Sequence, residues 1–228
     1  EEYIVVKGGP NTTLSAADDL TTAFTATPER DQNNVLDLGK GRGNNLALNP
    51  ASGSTVEFWL KKSEFPNARE TVFDLWNQTA AGSADYGRLR IDLDSSSGFI
   101  ITYRSGSAGG FANNSIGSAA AISKLTDDAW HHYALVFASS SAAQYANLYV
   151  DGELDATVTP GTARLMSEVR GTLVGYIGAL QTTTVTPSIG STTTGDAKLS
   201  ASLDEFRYWK TARSPEEIGR NWFTQVRG

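Results

Sequence analysis

Hydrophobic and polar positions alternate in short windows along much of this chain. In Thr55–Lys61, Val56, Phe58 and Leu60 share one face, opposite Glu57, Trp59 and Lys61. In Arg88–Asp94, Leu89, Ile91 and Leu93 oppose Arg88, Arg90, Asp92 and Asp94. Alternation of this kind predicts antiparallel strands with one face on a core and the other in water. Phe99–Tyr103 follows a Ser-Ser-Ser-Gly turn and is expected to pair with 88–94 as a hairpin. The segments AWHHYALVF (129–137) and ANLYVDGELDATV (146–158) alternate in the same way. The second is broken at Asp151-Gly152, which suits a type I′ turn because both central residues need positive φ. Further strands are expected near Val35–Leu38, Leu46–Leu48, Thr71–Trp76, Ser115–Ile122, Leu173–Ala179 and Leu199–Tyr208.

One segment carries firm helix signals. Ser214-Pro215-Glu216-Glu217 supplies an N-cap Ser, a Pro at the first helical position and a Glu three residues after the cap. Ile218, Trp222 and Phe223 follow at helical spacing, so a short helix is predicted near 215–224. A weaker helical turn is expected around Ser15–Ala23, and the Ser/Thr/Gly-rich stretches at 78–87, 104–115 and 181–196 read as long loops. No internal repeat or interdomain linker is visible. The expectation is one domain over 1–228: an all-β, two-sheet antiparallel jelly-roll sandwich with one short C-terminal helix.

Composition narrows the functional classes. A formal net charge of −6 disfavours nucleic acid as a partner. With no cysteine, disulfides and thiolate metal sites are excluded. No apolar run approaches the length of a transmembrane helix, so no membrane insertion is expected. The start, Glu1-Glu2-Tyr3-Ile4-Val5-Val6, has neither the basic nor the apolar region of a signal peptide, and it lacks an initiator Met. The chain therefore reads as a fragment of a larger protein.

In order along the chain, VLDLGKGRGNNLALN, STVEFWLK, TVFDLW, RLRIDL, AWHHYALVF, NLYVDGE, YIGA and SLDEFRYWKTARSPEEI resemble the laminin-G-like branch of the concanavalin A-like lectin/glucanase superfamily. These segments cover most of 35–218. The resemblance implies two curved antiparallel sheets stacked as a jelly roll with loops gathered at the rim. Its bearing on function is weaker, since the fold hosts lectins, adhesion modules, hydrolases and structural parts.

Candidate chemistry follows from individual residues. His131 and His132 are adjacent on a strand, point to opposite faces and cannot jointly hold one metal. The superfamily's glucanases carry Glu-x-Asp-x-Glu on one strand; Glu153-Leu154-Asp155 begins that spacing and continues Ala-Thr, so the third acid is missing. Glu57 and Glu205 read as isolated strand glutamates, and Asp204 as holding a nearby loop. Calcium is the cofactor to consider: Asp92 and Asp94 on a wet face, with Asp74, Asn77 and Asp85 nearby, could supply oxygen ligands. For glycan recognition, Trp76, Asn77 and Tyr86 bracket one rim loop and Phe111, Asn113 and Asn114 lie in another, combining aromatic rings with amides that pair with hydroxyls in both directions. Trp59 is expected on a partly covered sheet face, with Trp130, Trp209 and Trp222 in the core.

The function expected is a non-catalytic, lectin-like recognition or adhesion module of a surface-displayed protein, extracellular, on a cell surface or on a virion, with a glycan or surface protein as partner. Two alternatives stand beside it. One is a structural decoration or fibre domain of a bacteriophage virion, assembled in a multimer. The other is an endo-acting glycoside hydrolase with paired carboxylates in an open groove.

Overall fold

The structure, a computed structural model, describes residues 46–160, 164–169, 173–181 and 197–224, and the backbone of 4–8. The expected strand at Val35–Leu38 and helical turn at Ser15–Ala23 lie outside the described residues. Two antiparallel sheets stack face to face. The larger contains β1 (Ile4–Gly8), β3 (Arg69–Trp76), β4 (Gly87–Asp94), β5 (Gly98–Ser105), β6 (Gly109–Ile116) and β10 (Leu173–Ile177), in the order β1-β10-β3-β4-β5-β6. The smaller contains β2 (Ser54–Lys61), β7 (His131–Ser139), β8 (Gln144–Val150), β9 (Glu153–Val158) and β11 (Ser202–Trp209), in the order β11-β2-β7-β8-β9. Among the described residues the helices are α1 (Ala119–Lys124) and α2 (Pro215–Asn221). This is the jelly-roll sandwich with a short C-terminal helix that the alternation predicts.

The core lies between the sheets and is built from the alternating apolar positions. Val56, Phe58 and Leu60 of β2 face Leu89, Ile91 and Leu93 of β4, all buried. Aromatic pairs cross the gap: Phe99 with Tyr133 and Tyr103 with Phe137, each at 5.1 Å between ring centroids. Asp151 and Gly152 take φ of 51° and 84°, as the tight β8–β9 turn requires.

The structure corrects four expectations. Residues 104–115 are not a long loop: β6 pairs with β5 over most of that range, and only a short turn separates them. The Gly109-Gly110 start and the Asn-rich middle hide the strand from an alternation reading. Residues 115–122 are not one strand. Gly117, at φ 127°, closes β6, and Ser118 accepts a hydrogen bond from the Ala121 N–H to cap α1, whose Ala-Ala-Ala start favours a helix. Leu46–Leu48 forms no strand, although both leucines are buried in the core.

The fourth correction concerns the outer face of β4, expected to be wet. Arg88, Arg90 and Asp92 are 0–1% exposed, as are Asp74 and Thr102 beside them. Their charges are matched within the face. The Arg88 guanidinium donates to both oxygens of Asp74, at 2.7 and 2.6 Å, and Arg90 Nε lies 2.9 Å from Asp92. The backbone of Gln181, four residues beyond β10, donates to Asp74 at 2.9 Å. Pairing of this kind is what makes buried charge tolerable.

Candidate functional site

The two expected rim loops do meet: Gly106 N–H donates to Tyr86 O at 2.6 Å, placing the β3–β4 loop against the β5–β6 turn. Their rings, however, turn inward. Tyr86 is 1% and Phe111 3% exposed, and Phe111 packs against Tyr103. Neither can stack on a sugar from solvent. Trp76 is half-buried: the Arg88 guanidinium lies 4.9 Å from its ring centroid, and its indole N–H donates to Thr79 O. Asn77 accepts from the Thr79 and Gly87 N–H groups, so it shapes the loop. Asn113 sits at a bulge with φ 55° and accepts from Arg90. Asn114, half-buried, pairs with Ile101 across the sheet.

Nor do Asp92 and Asp94 fit a calcium site. Asp92 is wholly buried, accepts from Thr71 Oγ1 at 2.9 Å and faces Arg90, and burial pushes its carboxyl above the usual range against the pull of Arg90. Asp94 accepts from the Ser96 and Ser97 N–H groups, capping the β4–β5 turn, and Arg69 lies beside it. Burial would raise the Asp94 carboxyl, but these hydrogen bonds and the Arg69 charge outweigh it and hold the group low. Among the described residues, no three acidic or histidine side chains converge where they could hold a metal ion.

The histidines do diverge. His131 bridges Asp151 and Asp127 at 2.8 and 2.9 Å, whereas His132 is buried near Glu57 and Trp59 on the opposite face. Glu57 is far from isolated. It is fully buried, receives Arg213 Nη1 at 2.5 Å and has His132 Nε2 at 3.7 Å. Burial alone would raise the Glu57 carboxyl; bonding from His132 and Arg213, with their charge, brings it below its ordinary value. Asp155 accepts from the Ser118 N–H and so anchors α1.

The outer face of the smaller sheet holds an arrangement that the alternation does not foretell. Trp59 of β2, Trp130 before β7, Asp204 and Glu205 of β11 and Phe223 after α2 line an open cleft of about 240 Å³. Trp130, expected in the core, is 44% exposed, and Phe223 is 62% exposed. Trp130 stands outside the sheet because β7 begins one residue later. The preceding turn, with Asp128 at φ 59° and Ala129 N–H donating to Asp127, projects it.

A bulge in β11 brings the two acids to one cleft. Asp204 pairs with Trp59 and Arg207 with Glu57, so Glu205 and Phe206 together face the single residue Phe58. Glu205 adopts φ 48°, a strained conformation for a non-glycine residue. Consecutive residues of a regular strand point to opposite faces; the extra residue re-aims one of them. Glu205 forms an ion pair with Arg207 at 2.9 Å, and Asp204 accepts the Glu205 N–H at 2.7 Å.

The aromatic wall is held from below. The Trp222 ring lies 5.6 Å from Trp59 and 5.7 Å from Phe223. Trp222 is delivered by α2, whose buried Ile218 packs on Ala134, Val136 and Tyr149. The entry to α2 is fixed by Arg213, which bonds Glu57 and, through its backbone N–H, Thr55. In sequence, the available signal was the adjacent Asp-Glu pair within a strand otherwise rich in aromatics. Period-two reasoning splits that pair across two faces.

Among curated protein sequences, none matches the chain. Several solved structures are similar to the chain at low sequence identity. A heptameric SAP-like pentraxin from Limulus polyphemus is 14% identical, with a TM-score of 0.45 over 76% of this chain and 70% of its own. A putative carbohydrate binding protein from Bacteroides ovatus is 15% identical, with a TM-score of 0.49 over 79% of this chain and 43% of its own. The CBM40 of a Ruminococcus gnavus IT-sialidase is 14% identical, with a TM-score of 0.44 over 76% of this chain and 84% of its own. At the level of sequence families, a laminin-G family model matches residues 39–219, well over half of the chain. With that match and the two-sheet jelly roll, the chain belongs to the laminin-G branch of the concanavalin A-like lectin/glucanases superfamily.

Proposed function

We propose that this domain is a non-catalytic, lectin-like recognition module that binds glycan through the cleft of Trp59, Trp130, Asp204, Glu205 and Phe223. The observation that carries the reading is the exposed Trp130 ring beside two carboxylates turned to the same side by the β11 bulge. A sugar ring offers an apolar face, which an indole covers, and a rim of hydroxyls, which carboxylates accept from. The volume, about 240 Å³, is below the usual range for small-molecule pockets, so one or two sugar units fit and single-site affinity is weak. Display in several copies on a surface protein compensates for a weak site.

The same acids are poorly placed for hydrolysis. A glycosidase needs one carboxyl kept protonated by its surroundings and one ionised. Glu205 is engaged by a guanidinium, and Asp204 stands exposed at the mouth. Incubation with β-glucan, galactan or chitin fragments is expected to release no reducing ends; turnover that disappears in Glu205→Gln overturns the non-catalytic reading.

The direct test is a glycan array followed by titration calorimetry on the best hit, comparing the wild type with Trp130→Ala. Removing an exposed platform is expected to weaken binding by about tenfold or more, roughly 1.4 kcal/mol, with the thermal midpoint unchanged. Binding untouched by that substitution removes the cleft from consideration.

A further inference from the structure

The charges around the cleft are unevenly compensated. Lys61, two residues from Trp59 on β2, is engaged by Asp128 at 3.5 Å. Arg207 is engaged by Glu205 at 2.9 Å. Asp204 differs from these: its carboxylate takes the neighbouring Glu205 N–H and makes no ion pair with any described residue, although it is exposed beside the aromatic wall. The cleft thus presents one uncompensated negative charge among the faces of Trp59, Trp130 and Phe223. Aromatic faces attract cations, and a carboxylate beside them adds a charge-assisted hydrogen bond. An anionic sugar meets the reverse, like charge from Asp204, with Lys61 and Arg207 already engaged by Asp128 and Glu205.

From this we infer that the cleft selects saccharides bearing a protonated amine, such as glucosamine units, over neutral and over anionic ones. Asp204 is the acceptor for the ammonium group, and Trp130 and Trp59 form the aromatic floor. The inference rests on the glycan-binding reading above, and it specifies the chemical class of the ligand.

The test is calorimetric titration of the intact chain with four probes: a glucosamine tetramer, the N-acetylglucosamine tetramer of the same linkage, a glucuronate-containing tetramer and a trimethyllysine peptide. The glucosamine tetramer is expected to bind about five- to tenfold tighter than its acetylated counterpart, the combined effect of one exposed ion pair and one cation–π contact. The glucuronate tetramer should bind weakest. Asp204→Asn should abolish the preference for the amine, weakening the glucosamine tetramer by a larger factor than the neutral one until the two bind alike, and 0.5 M NaCl should narrow the gap in the wild type. Equal or tighter binding of the neutral tetramer, or a preference that survives Asp204→Asn, overturns the inference and leaves the glycan reading standing. Preference for the peptide over every sugar overturns the saccharide class. Failure of all four probes, or binding that Trp130→Ala does not change, defeats the glycan reading itself.

Discussion

Gly152 shows how much one position can carry. It lies in a turn with positive φ, and a Cβ placed on it would fall 2.2 Å from Trp222 Cδ1. Gly152→Val therefore meets two penalties, a β-branched residue in the left-handed region and a collision with the ring that supports Trp59. We expect a loss of about 1–3 kcal/mol from the turn alone, with the collision added to it. Because Trp222 is displaced, ligand binding should weaken together with thermal stability. A variant with a wild-type midpoint would show that the turn and its packing are misassigned. Asp74 tells a complementary story for the larger sheet. Removing its carboxylate in Asp74→Ala strands Arg88 in a dry face, and chemical denaturation should register about 3–5 kcal/mol.

Among the elements, α2 connects fold to site. Its capping box is complete: Ser214 accepts from the Glu217 N–H, and the Glu217 carboxylate accepts from the Ser214 N–H. Ser214→Ala should cost about 1 kcal/mol, visible as a lower unfolding midpoint in denaturant. The helix spans only seven residues, too short to persist without the packing of Ile218 and Trp222, so a weakened cap should loosen the cleft wall also. β11 contributes through its irregularity. Its bulge places Asp204 and Glu205 together, which a regular strand of the same residues could not do.

For the whole molecule, the buried carboxylates set the response to acid. Glu57 titrates below its ordinary value in the fold: burial opposes this, and bonding from His132 and Arg213 prevails. Asp151 behaves alike, with burial outweighed by Lys124, His131 and the His132 N–H. A depressed folded value means that the stability is fully present above the ordinary carboxylate range, about 4, and is lost as pH falls through the folded value. Asp92, raised by burial, works in the opposite sense, its cost being relieved as it takes up a proton. With Glu57, Asp151 and Asp94 depressed and Asp92 raised, the thermal midpoint should fall between about pH 5 and pH 3, and Glu57→Gln should flatten that slope. Because Asp92 and Asp94 are committed to Arg90, Thr71 and the β4–β5 turn, chelation of calcium should leave the midpoint where it was. A midpoint lowered by chelator would mean that a cation is part of the fold.

The sequence by itself determined what depends on near neighbours. Alternation over a few residues defined β2, β4, β5, β7 and β8, Asp151-Gly152 closed the hairpin, and Ser214 to Glu217 started the helix. Each of these is a local rule, satisfied within one strand or one helical turn. The tertiary structure decided which polar faces are wet and which rings are open. Arg88, Arg90 and Asp92 spell an ordinary solvated strand face, yet they are dry and paired because Asp74 comes from a neighbouring strand and Gln181 from beyond β10. Tyr86 and Phe111 look like loop aromatics and are core, whereas Trp130 looks like core and faces solvent. The pairing of Asp204 with Glu205 on one face arises only when β11 is laid against β2 with one residue to spare. Burial and bulges are properties of the partner a segment meets, and that partner is chosen by packing across the whole chain rather than by the residues on either side.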